Sequence, residues 1–355
     1  MTPRRRAEAG IVLPLVLIIG LLLSAAIVTF VRRAVVDRLL VGHRDDGAAA
    51  EALAHGGVQL GLAVLFEDRL QKQIAERGGQ PAGTSFEDLW SRLGAHPLAT
   101  EWGGALHVRI ESAGARLNLN ALVPATLNEE ESRPSEEAEE FLVDVFERLL
   151  ERAGTPSGSG GRDARELARN LLDYLDRDSV ALDGRDENEY YRGQDPPYTA
   201  ANRPLLSVDE VAMIEGFDAE WVERLRPYFT VYPLAGDAGI DVNTAPPHVL
   251  GLLYHGSAGD MRLADAELVS DIVAERDAGK LVCTETERAP DKCVLLSELL
   301  GLGEGSVFPP VDLPALATVF TIVSEASVGD VVHSIEAVVD LQNGQEPRLL
   351  SWRSL

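Results

Sequence analysis

The sequence predicts an α+β chain: one long N-terminal helix packed on a small antiparallel sheet, with a large all-α domain inserted in that sheet. Three observations predict it. An uncharged 21-residue run, 11–31, opens the chain, and apolar residues keep helical spacing behind it to about residue 70. Alternation of apolar and polar residues appears at 105–122 and again at 316–355. Between these stretches the pattern is helical. The resulting divisions are 1–10, 11–31, 32–122, 123–316 and 317–355.

At 1.5 Å rise per residue, the run 11–31 spans roughly the 30 Å hydrocarbon core of a bilayer. It is too long for the apolar core of a cleaved secretory signal, which holds about 7–15 residues. Arg4, Arg5 and Arg6 precede it and place the N-terminus on the cytoplasmic side, although Arg32, Arg33 and Arg38 weaken the asymmetry. Val35, Leu39, Leu53, Val58, Leu62, Leu65 and Phe66 carry the helical period onward. Gly42, Gly47, Gly56 and Gly57 predict flexing there.

Ser85 opens a short helix as its cap. The stretch 105–122 reads as a hairpin turning at Gly114. Glutamate-rich 128–140 leads into an amphipathic helix through Phe141, Val145, Leu149 and Leu150, and 154–163 has the composition of a flexible loop. Turns at Val328-Gly329-Asp330 and Asn343-Gly344 divide the C-terminal stretch into three strands.

Composition narrows function. The 355 residues include 57 acidic and 32 basic ones, a net charge of −25. A nucleic-acid partner needs a basic footprint, so this balance argues against one. It suits an extracytoplasmic protein or one that holds a hard cation. The stretch 205–229 has the rhythm of a helix-hairpin-helix, but its Gly216 lies between Glu215 and Asp218, the wrong charge for gripping phosphates. His248 and His255, seven apart, could share a helix face, yet no G-x-S-x-G, H-E-x-x-H or P-loop accompanies them. No enzymatic activity is expected. Cys283 and Cys293 lack the further ligands of a zinc site. A disulfide suits them in an oxidising compartment, and two buried thiols otherwise.

The richest segment follows Leu175, where Asp176, Asp178, Asp183, Asp186, Glu187 and Glu189 fall within fourteen residues. Carboxylates gathered on a turn repel one another unless a cation sits among them, and oxygen ligands suit calcium. The spacing is not that of an EF-hand, and a solvated acidic loop fits the same residues.

Ala7-Glu8-Ala9-Gly10 followed by Ile11-Val12-Leu13-Pro14-Leu15 resembles the leader and stem of type IV pilin-like proteins. The resemblance implies a pilin-like fold and cleavage by a prepilin peptidase after Gly10, leaving Ile11 first. Pro14 then falls in the first helical turn, where no backbone N–H needs a partner. Most such proteins carry Glu at the position of Leu15. Its absence is characteristic of the minor pseudopilin K family of type II secretion and suits the end of a filament. Further motifs resemble that family: Arg116-Leu117-Asn118-Leu119-Asn120; Leu172-Asp173-Tyr174-Leu175-Asp176-Arg177-Asp178; Glu187 before Tyr190-Tyr191; Asn202-Arg203-Pro204-Leu205; and Asp241-Val242-Asn243-Thr244-Ala245-Pro246. The asparagines are expected to tie down turns before helices.

The resemblance implies a single-pass inner-membrane protein with a periplasmic domain, placed at the pseudopilus tip with minor pseudopilins I and J. It also implies calcium, with Asp176, Asp178, Glu187 and Glu189 as the expected ligands. The departure at Arg185-Asp186, where the family has Gly-Ala before Glu, leaves the ligand set open. A membrane-tethered calcium-binding scaffold, or a type IV pilus tip subunit, is the alternative.

Overall fold

The computed structural model describes residues 12–78, 83–101, 103–124, 126, 128, 131–154, 163–234, 239–257, 259–284, 293–301, 306–342 and 347–355. Helix α1, Val12–Arg77, is one unbroken helix of 66 residues, about 100 Å long. It is the one helix among the described residues long and apolar enough to cross a membrane. Its first half touches nothing else in the chain, and Leu15 is exposed there. Gly10, Ile11 and the turn Asn343-Gly344 lie outside the described residues.

The second half of α1 packs on a sheet. Ala54, Val58 and Leu65 meet Leu106, Val108, Ile110, Phe320 and Ile322 in a closed apolar core. The helix runs without a break through all four glycines expected to flex, Gly42, Gly47, Gly56 and Gly57. Gly57 instead faces the sheet so closely that a Cβ there would lie 2.1 Å from Ser324 Oγ and 2.7 Å from Leu106 Cδ1. Gly61, one turn on, meets Ile322 in the same way. Gly57 and Gly61 serve close approach to the sheet, while Gly42, Gly47 and Gly56 face open space.

After α1 comes a short helix α2, Leu89–Leu93, whose N-cap position is held by Asp88 and not Ser85, without a side-chain capping bond. Asp88 Oδ2 accepts from the Ser85 backbone N–H at 2.9 Å and from Trp90 Nε1 at 3.0 Å, which ties the approach to the helix to its buried Trp90. Trp90 is buried edge-on against Phe320. Strands β1, Leu98–Ala99, and β2, Gly104–Ser112, follow.

The chain then leaves the sheet. The expected hairpin at Gly114 does not form: after a turn of 3-10 helix at Ala113–Ala115, strand β3, Leu117–Asn118, pairs in parallel with β4, Phe229–Thr230. Alternation persists through the turn, and alternation alone does not choose a strand's partner. The insertion is built on helices α3, Glu136–Arg152, and α4, Ala164–Leu175, with shorter α5, Asn188–Arg192, and α6, Ala219–Leu225. Helices α7, Pro247–Leu250, α8, Ala266–Asp277, and α9, Leu296–Leu299, complete it. Their apolar faces, with Phe141, Phe146, Leu167 and Leu171 fully buried, form its core.

Small sheets accompany these helices. Beside β3–β4, strands β5, Tyr254–Ser257, β6, Asp260–Leu263, and β9, Ser306–Phe308, make one. Strands β7, Leu281–Cys283, and β8, Cys293–Leu295, make the other, and Cys283 and Cys293 form a disulfide across them. At two to four residues each, these strands are too short to show a period. His248 sits on α7 and His255 on β5, so they share no helix face.

The sheet resumes with β10, Val319–Val328, β11, Val331–Asp340, and β12, Arg348–Ser354. The order β1-β2-β10-β11-β12 is antiparallel throughout. The Val328–Val331 turn lies beside Asp46 of the stem. Gly104 pairs with Val328 and Ser112 with Phe320. The insertion therefore departs from the end of the sheet opposite to where the stem enters.

Candidate metal centre

Of the chain's 57 acidic residues, 40 lie within 113–318, with 18 of its 32 basic ones. The insertion thus holds most of the negative charge, and part of it is buried. Helix α4 buries Leu167, Leu171, Leu172 and Leu175 along one face. Asp173 and Asp176, three residues apart, come in with that face. Glu187, just before α5, closes the group from the other side. All three are buried, and each offers an oxygen within 4.8 Å of the others.

Few donors satisfy this cluster. Asp173 Oδ1 accepts from the Leu182 N–H at 2.9 Å. Asp176 Oδ1 and Glu187 Oε1 have no hydrogen-bond partner, nor does the buried Oδ1 of Asn202 beside them. Asn202 alone among the described non-glycine residues has positive φ, 45°. Its amide nitrogen donates to the Asp178 carbonyl and stands 3.5 Å from Glu187 Oε2.

Burial, then mutual repulsion, pushes these carboxyls upward: Asp173 and Asp176 to about 7 and Glu187 to about 8. Buried oxygens without donors are costly, and several carboxylates cannot ionise together in such a place without a cation. An all-oxygen donor set in this state fits a hard divalent cation and not zinc.

Two expected ligands stand apart from the cluster. Asp178 turns away, pairing with Arg133 Nε at 2.8 Å and accepting from the Val180 N–H. Glu189 is exposed on α5. Asp183 and Asp186 face solvent with Arg185 and Arg192. Asp176 and Glu187 are brought together as expected partners would be, and Asp173 takes the third place. Its signal was the i, i+3 spacing to Asp176 at a helix end, which sets both on one face.

The asparagine motifs form a different kind of site. Asn118 does tie a turn, accepting from the Asn120 N–H at 3.0 Å. Asn120 reaches across the insertion: its Oδ1 accepts from the Leu205 N–H at 2.8 Å, and its Nδ2 donates to Leu205 O and Val231 O. Asn243 likewise bonds both the N–H and the C=O of Val282. Each amide stands in for a neighbouring strand's peptide. The helical hairpin around Gly216 is also used internally, since a Cβ at Gly216 would lie 2.8 Å from Leu167 Cδ2.

Known proteins agree with this architecture. A sequence profile described as type II secretion system (T2SS), protein K matches residues 115–234, which contain the whole carboxylate cluster. The type II secretion system protein K of Klebsiella pneumoniae is 30% identical over 222 residues, 62% of this chain and 61% of that protein's length. That of Pseudomonas aeruginosa is 30% identical over 262 residues, covering 72% of this chain and 71% of that protein. The chain belongs to the type II secretion system protein K family. Its fold matches a chain in the crystal structure of the GspK-GspI-GspJ complex from enterotoxigenic Escherichia coli, with TM-score 0.58 and 17% identity. That match covers 89% of this chain and 99% of the other. In this K-family chain the apolar half of α1 has the length and composition for one membrane crossing ahead of the folded C-terminal part.

Proposed function

We propose that this chain is a minor pseudopilin that caps the pseudopilus, works with pseudopilins I and J, and helps start pseudopilus assembly for protein export. The observation that carries this reading is where the insertion leaves the sheet. It departs from the end away from the membrane-entering stem, where the next subunit of a thin fibre would stack. Leu15 supports the same position, since a carboxylate there would need a partner amine in the hydrocarbon. The stem lies in the inner membrane with the remainder in the periplasm. Prepilin peptidase removes 1–10, and methylation of the new N-terminus follows the family pattern. The protein binds and assembles, and turns over no substrate. Calcium occupies the cluster of Asp173, Asp176 and Glu187.

Mass analysis of the membrane form tests the processing: loss of 1–10 is expected, and an intact Met1 in cells with active prepilin peptidase counts against the reading. Co-purification of the full chain with pseudopilins I and J from detergent-solubilised membranes tests the assembly. Recovery of the chain without either would remove the tip assignment.

A further inference from the structure

The insertion and the sheet meet at a polar seam. Ser207, Arg226 and Tyr232 approach Glu336, Ser351 and Arg353 around a cavity of about 70 Å³. Apolar contact is slight there: Ala113, Val319 and Val338 form a small buried cluster with Tyr232 and Leu350 beside it. An ionic contact crosses the seam. Asp209 is gripped on both carboxylate oxygens, by Arg226 of the insertion and by Arg353 of β12 at 2.5 Å.

Asp209 lies seven residues after Asn202, the strained residue that walls the carboxylate cluster. The segment between them, 202–210, is internally bonded. Arg203 pairs with Glu210 at 3.1 Å, and Glu210 Oε1 accepts from the Leu206 N–H at 2.9 Å. Leu205 is held twice by Asn120, whose amide also reaches Val231 O at 2.7 Å, next to Tyr232. Tyr232 in turn donates its hydroxyl to Leu206 O at 3.1 Å. These bonds brace the segment along its length, and its two ends are the cluster and the seam.

We propose that the cluster and the seam are one device: a cation held by Asp173, Asp176 and Glu187 fixes the 202–210 strap, and the strap fixes the insertion against edge strand β12. The proposal rests on the cation reading above. Without the cation, nothing draws the oxygens of Asp176, Glu187 and Asn202 to one point, and the wall at Asn202 is released. The shift reaches Asp209, and the Arg353 contact loosens because little apolar burial backs it. Two arrangements of one element, biased from a distant site, are what such coupling requires.

The test uses the full chain in detergent micelles, spin-labelled through Glu220→Cys on α6 and Val332→Cys on β11. With excess calcium one narrow inter-label distance is expected, and with EDTA a distribution several-fold broader. Arg353→Gln in calcium should reproduce the broad distribution, while amides in 174–188 keep their calcium protection from hydrogen exchange. If EDTA strips that protection yet leaves the distance distribution narrow, the coupling is wrong although the cation site stands. If calcium changes neither readout, the cation reading fails, and the coupling with it.

Discussion

The insertion buries polar groups in two places that look alike in composition and differ in accounting. Around Asn120 and Asn243, the side-chain amides meet backbone donors and acceptors at 2.7–2.9 Å. In the carboxylate cluster, Asp176 Oδ1 and Glu187 Oε1 are buried and left without donors. The first arrangement is complete without any addition. The second needs protons or a cation. Satisfaction of buried polar atoms, and not their number, separates a structural polar site from a binding one.

The largest expected effect breaks the complete site. Asn120→Ala leaves the N–H and C=O of Leu205 and the C=O of Val231 unpaired in the core. Each orphaned group costs about 1–3 kcal/mol, so the three together predict a loss of roughly 3–9 kcal/mol in chemical denaturation of the full chain. The loss should be the same in calcium and in EDTA. A calcium-dependent loss would mean that the two sites are not energetically separate.

Next comes the incomplete site. A cation at one hundred times its dissociation constant should stabilise the chain by about 2.7 kcal/mol. Asp176→Asn should abolish most of that gain, yet in EDTA at neutral pH the variant should be at least as stable as the parent, because one repelling carboxylate has gone. Equal destabilisation with and without calcium would make Asp176 a structural acceptor like the asparagines, and the contrast would collapse.

Acidity gives a third handle. The folded-state carboxyls sit at about 7, 7 and 8, above the usual unfolded value near 4. The folded state therefore binds more protons across that window. In EDTA the stability contribution is fully present below pH ~4 and lost as pH rises through the folded values, towards pH ~8. Calcium competes with those protons, so the decline should flatten or reverse when it is added. Thermal melts at stepped pH, with and without calcium, read both slopes; parallel slopes would sink the cation reading.

The sequence made some of this legible and hid the rest for physical reasons. The stem and the C-terminal strands stand out because their periods persist over many residues. The insertion's short strands do not, since two to four residues carry no period. At the cluster, residue type pointed to the acidic run after Leu175, and of the four ligands expected from it Asp176 and Glu187 lie in the buried group. Asp178 and Glu189 belong to the same acidic run, but Arg133 draws one outward and α5 exposes the other. Asp173 was legible through its i, i+3 spacing to Asp176, while Asn202 was visible only as a motif member, because backbone strain is a property of the fold.

The smallest expected effect takes the same contrast to one residue type at adjacent positions. Gly56 and Gly57 are both helix-interior glycines, and propensity alone predicts that Ala at either would stabilise α1 by about 1 kcal/mol. Around Gly56 the space is open, so Gly56→Ala should deliver that gain. At Gly57 the added methyl would lie 2.1 Å from Ser324 Oγ and 2.7 Å from Leu106 Cδ1, and Gly57→Ala should cost about 1–3 kcal/mol net. Ser324→Gly removes the nearer obstruction only, so in Gly57→Ala/Ser324→Gly the loss should shrink and not vanish. A Gly57→Ala variant as stable as Gly56→Ala would show that the stem rides higher on the sheet than the contacts with Ser324 and Leu106 place it.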